Sequence, residues 1–365
     1  MADPPIISTP GAVTPAWLTQ VLDQSGALGG AKVIGAQATR VGDGMLGESV
    51  RFDLTYDRPS LDAPKAVVGK FPSADPVSRA TGAGLGLYLN EIRFYQEVAS
   101  TVSIRTPKAY FAQIDDATND FALIMEDMGP ARGGNQLIGC SLVDAQTAMV
   151  EAAALHGPRW ADPSLADVAF LNRGAVPPTA IIEMFGPVFQ AFEARYGDVL
   201  EADHMAACRT FATHIGKFYF SGPAAPTTLQ HLDFRLDNML FDPQGGRWPL
   251  AVLDWQSVTL GPGVLDVGYF IGAGMEAELR QSNEQDLLRQ WLDALKRYGV
   301  RYSWDEAWEA YRHYLLQGVF TAIFASVGTK QTERGDAMFM TMARRHCAQA
   351  LDLGSFEILA RRAEV

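Results

Sequence analysis

The string His231-Leu232-Asp233-Phe234-Arg235-Leu236-Asp237-Asn238 sets a carboxylate, Asp233, five residues ahead of a carboxamide, Asn238. Sixteen residues after Asn238, Asp254 closes the apolar run Val252-Leu253. Moving a phosphoryl group from a nucleotide to a hydroxyl takes one carboxylate beside the attacking oxygen and two oxygen ligands for Mg²⁺ on the triphosphate. A loop carrying Asp233 and Asn238, followed by a strand that ends in Asp254, supplies all three. The same string also reads as a core histidine beside a turn aspartate, so it needs company.

Lys70 and Glu91, far upstream, provide it. Lys70 sits inside the apolar strand Ala66-Val67-Val68-Gly69-Lys70-Phe71, where a lone ammonium is expensive. Glu91 lies in the helical pattern Leu87–Ser100, four residues after Leu87 and four before Tyr95, which places its carboxylate on the apolar face. A buried lysine on a strand and a buried glutamate on the next helix satisfy each other, and in kinases such a pair positions the α- and β-phosphates. An edge-strand lysine pointing to water and a helix-surface glutamate are the plainer readings.

A third element, Gly42-Asp43-Gly44-Met45-Leu46-Gly47, matches G-x-G-x-x-G. A dinucleotide site would require a helix directly after the glycines. Here the glycines lead into Val50-Arg51-Phe52-Asp53-Leu54-Thr55-Tyr56, which alternates apolar and polar as a half-buried strand does. The loop therefore joins two strands and suits a flap whose backbone, around Gly44, covers phosphates. Ser49 is placed to bind a phosphate oxygen. An ordinary hairpin turn gives the same letters.

The elements that must position these groups fall into two parts. Up to Met125 the chain is β-rich. Thr14-Pro15 caps and starts a short helix, strands follow from Lys32, Leu87–Ser100 is the one main helix, and Phe121–Met125 is a short strand leading to Glu126-Asp127. Beyond Gly129-Pro130 helices dominate: Ala145–Leu155, Met205–Phe220, Glu278–Tyr298, Trp304–Phe324 and Ala337–Leu351, with Ser303 and Glu306 as a capping box. The predicted architecture is α+β: a small antiparallel β lobe, residues 1–128, before a larger helical lobe, residues 129–365.

Composition narrows the class. With 48% apolar and 20% charged residues the 365-residue chain can bury a full core. With 42 acidic against 30 basic groups, a net charge of −12 and no basic cluster, nucleic acid is not an expected partner. Cys140, Cys208 and Cys347 fit no disulfide framework or zinc spacing. No apolar run reaches the roughly 18 residues of a membrane span, and the first basic residue is Lys32, too late for the positive region of a secretory or transit peptide. A cytoplasmic protein is expected.

Taken in order, the glycine loop, Lys70, Glu91, the Met125–Met128 segment, His231, Asp233, Asn238 and Asp254 resemble the aminoglycoside phosphotransferase and choline kinase-like family, small-molecule kinases with a protein-kinase-like bilobal fold. The likeness extends from about Lys32 and is specific between Leu229 and Phe270, where Asp254-Trp255-Gln256, Gly261-Pro262 and Asp266 complete it. It implies transfer of the γ-phosphate of ATP or GTP, with Mg²⁺, to a small-molecule alcohol. Asp233 would be the catalytic base or hydroxyl-orienting group, and Asn238 and Asp254 would hold Mg²⁺. Lys70 would contact the phosphates and Glu91 would hold Lys70. Backbone groups from Glu126 to Met128 would pair with the purine edge, His231 would orient the loop, and Asp266 would anchor it. One departure stands out: the family usually has glycine where this chain has Leu232.

The acceptor is less legible. From Arg301 to Val365 eight acidic side chains face eight basic ones, so nothing favours a polycationic acceptor. Phe185, Phe189, Phe192 and Tyr196 recur at helical spacing, which reads first as core and, if it lines the cleft, as a site for a hydrophobic alcohol. The Phe-Arg-Leu-Asp-Asn loop resembles family branches paired with acyl-chain metabolism, and the stretch around Asp254-Trp255-Gln256 and Gly261-Pro262-Gly263 resembles steroid-phosphorylating relatives. A kinase-shaped nucleotide binder without transfer is the main alternative. A protein kinase lacks support, since H-R-D, D-F-G and A-P-E triplets are missing, and a nicotinamide dehydrogenase would rest on the glycine loop alone.

Overall fold

The computed structural model describes residues 3–42, 46–172 and 177–363. Five antiparallel strands, β1 (Val33–Arg40), β2 (Gly47–Tyr56), β3 (Ala66–Pro72), β4 (Ala109–Ile114) and β5 (Phe121–Glu126), form one sheet in the order β1-β2-β3-β5-β4. The helix Pro15–Gln24, capped by Thr14 Oγ1 accepting from Trp17 N, covers one face with Trp17, Leu18, Val21 and Leu22 against Val50, Phe52, Val67 and Phe71. The helix Leu87–Arg93 covers the other with Tyr88 and Ile92 against Phe121, Leu123 and Met125. That helix was expected to run on to Ser100. Instead a wider π-turn spans Phe94–Val98. It swings Phe94 out of the sheet's packing and into the helical lobe, where the ring stacks on Trp255 at 3.9 Å.

The remaining chain builds a mainly helical lobe around one large core. Two expected helices are broken. Met205–Phe220 divides at His214 into Ala202–Thr213 and Ile215–Phe220, and Trp304–Phe324 divides into Trp304–Tyr314 and Gln317–Gly328. At the second break Leu315 and Leu316 are both fully buried. The Ser303–Glu306 capping box is present as expected. The aromatic stripe lies on helix Pro178–Tyr196, and Phe185, Phe189, Phe192 and Tyr196 are all core. Cys208 and Cys347, distant in sequence, bring free thiols to 3.6 Å inside that core. Among the described residues no helix is long and apolar enough to cross a membrane.

Short strands carry the loops between the lobes. β6 (Arg132–Gly133), β8 (Met239–Phe241) and β9 (Leu250–Val252) form one ribbon, and β7 (Thr227–Gln230) pairs with β10 (Thr259–Pro262). Helix Val264–Gly274 follows β10 and is buried along its whole length.

Two buried histidines give the fold a pH dependence. Burial pushes His313 down to about 4 and His346 down to about 3. The unfolded chain, with ordinary histidines near pH 6.5, then binds more protons than the folded one, so stability falls as the pH drops below that value. We expect the loss to reach roughly 2 kcal/mol per histidine by pH 5. Melting curves at pH 7.5 and pH 5 test this, with His313→Gln expected to flatten the slope. A melting temperature that stays level across the two conditions rules it out.

Candidate active site

The loop from His231 to Asn238 leaves β7 and enters β8, while Asp254 follows β9, so the strand pairs bring the two segments side by side. Leu253 N donates to Asn238 O at 2.9 Å. His231 Nδ1 accepts from Asp233 N at 3.3 Å, which leaves the ring proton on Nε2 to donate to Leu253 O at 2.9 Å. His231 therefore ties one segment to the other.

Asp266, buried on the first turn of helix Val264–Gly274, anchors the loop from beneath. Its carboxylate accepts from His231 N at 2.7 Å, Leu232 N at 2.9 Å and His156 Nε2 at 3.2 Å. Trp291 Nε1 donates to His156 Nδ1 at 3.1 Å and so fixes which face His156 turns to Asp266. These bonds hold Leu232 at φ +63°, in the left-handed region where the family usually has glycine. Asp254 adopts a similar conformation, φ +65°. Strained backbone of this kind persists only where the surroundings over-determine it, and it gathers at functional sites.

Lys70 is on β3, the middle strand of its sheet, and Glu91 is 2% exposed, so neither the edge-strand nor the helix-surface reading survives. Lys70 Nζ lies 2.7 Å from Glu91 Oε2 and 2.7 Å from Asp254 Oδ1. Burial by itself would lower the Lys70 pKa, but the two carboxylates outweigh it and hold the ammonium above its ordinary value. Burial raises Glu91 despite Lys70, whereas Lys70 overcomes burial at Asp254 and keeps its carboxyl low. Stacked Phe94 and Trp255, with Asn90 Nδ2 donating to Gln256 O at 3.2 Å, join the Glu91 helix to the Asp254 segment.

Asp233 is held by three side-chain donors. Its Oδ1 accepts from Arg235 Nε at 2.8 Å and Tyr269 OH at 3.1 Å, and its Oδ2 from Asn238 Nδ2 at 2.8 Å. With its amide nitrogen turned to Asp233, Asn238 keeps its carbonyl oxygen for another partner. That oxygen and the Asp254 carboxylate are hard donors of the kind Mg²⁺ takes, and two protein ligands are the usual number when phosphates complete the shell. No cluster of three or more His, Cys, Asp or Glu able to cage a metal occurs among the described residues.

Ser49 is the cross-strand partner of Lys70, so both side chains stand on one face of the sheet. Gly44 lies outside the described residues. The flanking chain forms a β1–β2 hairpin, with Val41 N bonded to Ser49 O, rather than the strand-to-helix turn of a dinucleotide site. In the Glu126–Met128 segment, Glu126 N donates to Lys108 O and Met128 O accepts from Gln244 N. The backbone N–H groups of Asp127 and Met128 make no hydrogen bond to protein among the described residues. The Glu126 side chain is engaged elsewhere, by Arg105 at 2.7 Å and Gln244 at 2.6 Å.

Tyr269, His156 and Trp291 escaped the sequence reading. Tyr269 falls in a run apolar on every side, which has no helical period to single it out, and the two others reach the loop only through tertiary packing. Arg235 was visible in the motif, but its bond to Asp233 was not.

The Leu232 conformation is directly testable. A β-branched residue fits the left-handed region poorly, so Leu232→Val should lower stability by about 1–2 kcal/mol. Leu232→Gly should leave stability level or raised, by up to about 1 kcal/mol. Urea denaturation reads both, and equal losses for the two variants would contradict the strain.

Residues 41–301 match the model of the ecdysteroid kinase-like family. Among solved structures, a Ralstonia eutropha protein described as an aminoglycoside phosphotransferase superposes with a TM-score of 0.56 at 17% identity, over 95% of this chain and 98% of its own. The GDP complex of aminoglycoside 2'-phosphotransferase-IIIa gives 0.55 at 14% identity, over 90% and 97% of the two chains. A microcompartment-associated aminopropanol kinase gives 0.55 at 15% identity, over 92% and 98%. These superpositions show a shared fold. Acyl-CoA dehydrogenase family member 10 of Mus musculus is 56% identical over 43 residues, 12% of this chain and only 4% of that protein. With a family model spanning well over half its length, the chain belongs to the ecdysteroid kinase-like family.

Proposed function

We propose that this chain is a phosphotransferase that moves the γ-phosphate of ATP or GTP to a hydroxyl of a small-molecule acceptor, with Mg²⁺. The observation that carries the reading is the Lys70 ammonium shared by Glu91 and Asp254 at 2.7 Å each, beside the paired Asp233 and Asn238. The family match and the nucleotide-bound structural neighbour support it.

In this reading nucleotide lies between an N-terminal lobe, residues 1–128, and a C-terminal lobe, residues 129–365, that supplies the acceptor side. The Met128 N–H and neighbouring backbone meet the purine. Lys70, held by Glu91, contacts the α- and β-phosphates, with Ser49 and the glycine loop on the same face of the sheet. Asn238 and Asp254 would hold Mg²⁺, which would supply positive charge against the phosphates. Asp233 orients the acceptor hydroxyl and takes its proton as the phosphoryl group arrives. Little covalent chemistry falls to the protein, so positioning and charge neutralisation carry the rate. We place the reaction in the cytoplasm, where both nucleotides are supplied.

Thermal denaturation with MgATP and with MgGTP tests the site. A nucleotide at about 100 times its dissociation constant should stabilise the fold by roughly 2.7 kcal/mol. Each variant is compared with its own ligand-free baseline, because Lys70→Ala strands a buried carboxylate and should itself lose about 3–5 kcal/mol. Lys70→Ala and Asp254→Ala should abolish the Mg²⁺-dependent shift. Asp233→Ala should keep the shift and lose phosphoryl transfer in a screen of alcohols. No shift with either nucleotide defeats the nucleotide site, and wild-type turnover in Asp233→Ala defeats the role given to that residue. A shift without transfer to any alcohol returns the chain to the class of nucleotide binders.

A further inference from the structure

The two oxygens of Asp233 are not equivalent. Oδ1 accepts from both Arg235 Nε, at 2.8 Å, and Tyr269 OH, at 3.1 Å, which occupies the two lone pairs a carboxylate oxygen offers. Oδ2 accepts from Asn238 Nδ2 alone, at 2.8 Å, and keeps one position open. We infer that Tyr269 and Arg235 are positioning residues that pin Oδ1 and thereby assign Oδ2 as the oxygen that receives the acceptor hydroxyl. This inference rests on the phosphotransferase reading.

Both residues are themselves held. Tyr269 shares helix Val264–Gly274 with Asp266, so one helix grips the loop at its backbone through Asp266 and at its reactive carboxylate through Tyr269. The phenol is fully buried, and burial together with Asp233 lifts its pKa well above the ordinary value, so it remains a donor. Its ring stacks on the His346 imidazole, centroids 5.3 Å apart at 22°. That imidazole occupies the space where a Cβ on Gly272 or Gly318 would stand, 2.5 and 2.1 Å from its Nδ1, so both positions must be glycine for the ring to lie there.

Behind it Gln349 Nε2 donates to Tyr311 OH at 2.9 Å and Glu284 Oε1 at 2.7 Å, and Arg280 NH1 closes on Glu284 Oε2 at 2.8 Å. A continuous buried layer therefore backs the Tyr269 ring. On the other side, the Arg235 guanidinium spans Asp233 and Asp237, reaching Asp237 Oδ2 at 3.1 Å, while Asp237 Oδ1 accepts from Gln136 N at 2.9 Å. Both anchors are held by further contacts, which opposes a turn of the carboxylate that would exchange its oxygens.

The test is steady-state kinetics of the full chain with MgATP or MgGTP, following transfer to an accepted alcohol or, with water as acceptor, phosphate release. Tyr269→Phe keeps the ring and removes one donor to a charged oxygen, and should lower kcat roughly 10-fold. The KM for nucleotide should hold, because Tyr269 reaches only Asp233, and the melting temperature should change little.

Arg235→Lys, a compact ammonium that cannot span two carboxylates, should lower kcat further with the same nucleotide KM. The double variant should lose less than the product of the two losses, since both act on one oxygen. Should Tyr269→Phe not fold, Arg235→Lys still decides. An unchanged kcat in both variants, or a loss confined to nucleotide KM or to melting temperature, overturns the positioning role while wild-type turnover leaves the phosphotransferase reading standing. A wild-type chain that neither binds nor turns over nucleotide overturns both.

Discussion

The ammonium of Lys70 is the point on which the rest of the molecule is arranged. A charge on the central strand of a sheet, largely out of water, is tolerable only with opposite charge in contact. The two carboxylates that provide it come from different parts of the chain: Glu91 from the helix packed on the sheet, Asp254 from the loop after β9 in the other lobe. Satisfying one lysine thus fixes the angle of the Glu91 helix on its sheet and the position of the Asp254 loop. The π-turn at Phe94–Val98 serves the same end, because it lets Ile92 remain under the sheet while Phe94 stacks on Trp255, the residue after Asp254. Apolar stacking and ion pairing then reinforce one geometry.

Around Asp233, rigidity comes with backbone strain. Leu232 and Asp254, both non-glycine residues at positive φ, flank Asp233 and end the strand segment that faces it. Relaxed, either would turn its neighbour's side chain away. What prevents this is a set of short bonds to buried acceptors, above all the Asp266 carboxylate with its three donors. A leucine can stand where relatives of this kind usually have glycine because the loop's shape is dictated from the helix below, and not by the local preference of residue 232.

The legibility of the sequence follows the same division. Lys70 and Glu91 could be named in advance because each is a polar group set into an apolar pattern, and Asp233, Asn238 and Asp254 because of their spacing. Period-2 or period-3.6 patterning says which face such a group shares, and so whom it must meet. The hairpin around the glycine loop is legible for a similar reason, since a strand and not a helix comes after it. Where every residue is buried, patterning is silent: helix Val264–Gly274 has no polar face, and Tyr269 within it looks like any other core residue. Breaks at His214 and at Leu315–Leu316 were equally hidden, because the apolar periodicity continues across a turn when both sides enter one core.

The same reasoning bears on the acceptor. The aromatic stripe from Phe185 to Tyr196 is buried inside the helical core, so it cannot argue for a hydrophobic alcohol. A polycation would need uncompensated carboxylates beside Asp233, and there charges alternate: Arg235 lies between Asp233 and Asp237, and Arg334 takes Asp237 from the outside at 3.2 Å. Asp233 and Asp237 thus each already have a cation. In the phosphotransferase reading, a highly charged acceptor would have to break one of these pairs before gaining another, and shape and single hydrogen bonds around Oδ2 of Asp233 would choose among hydroxyls.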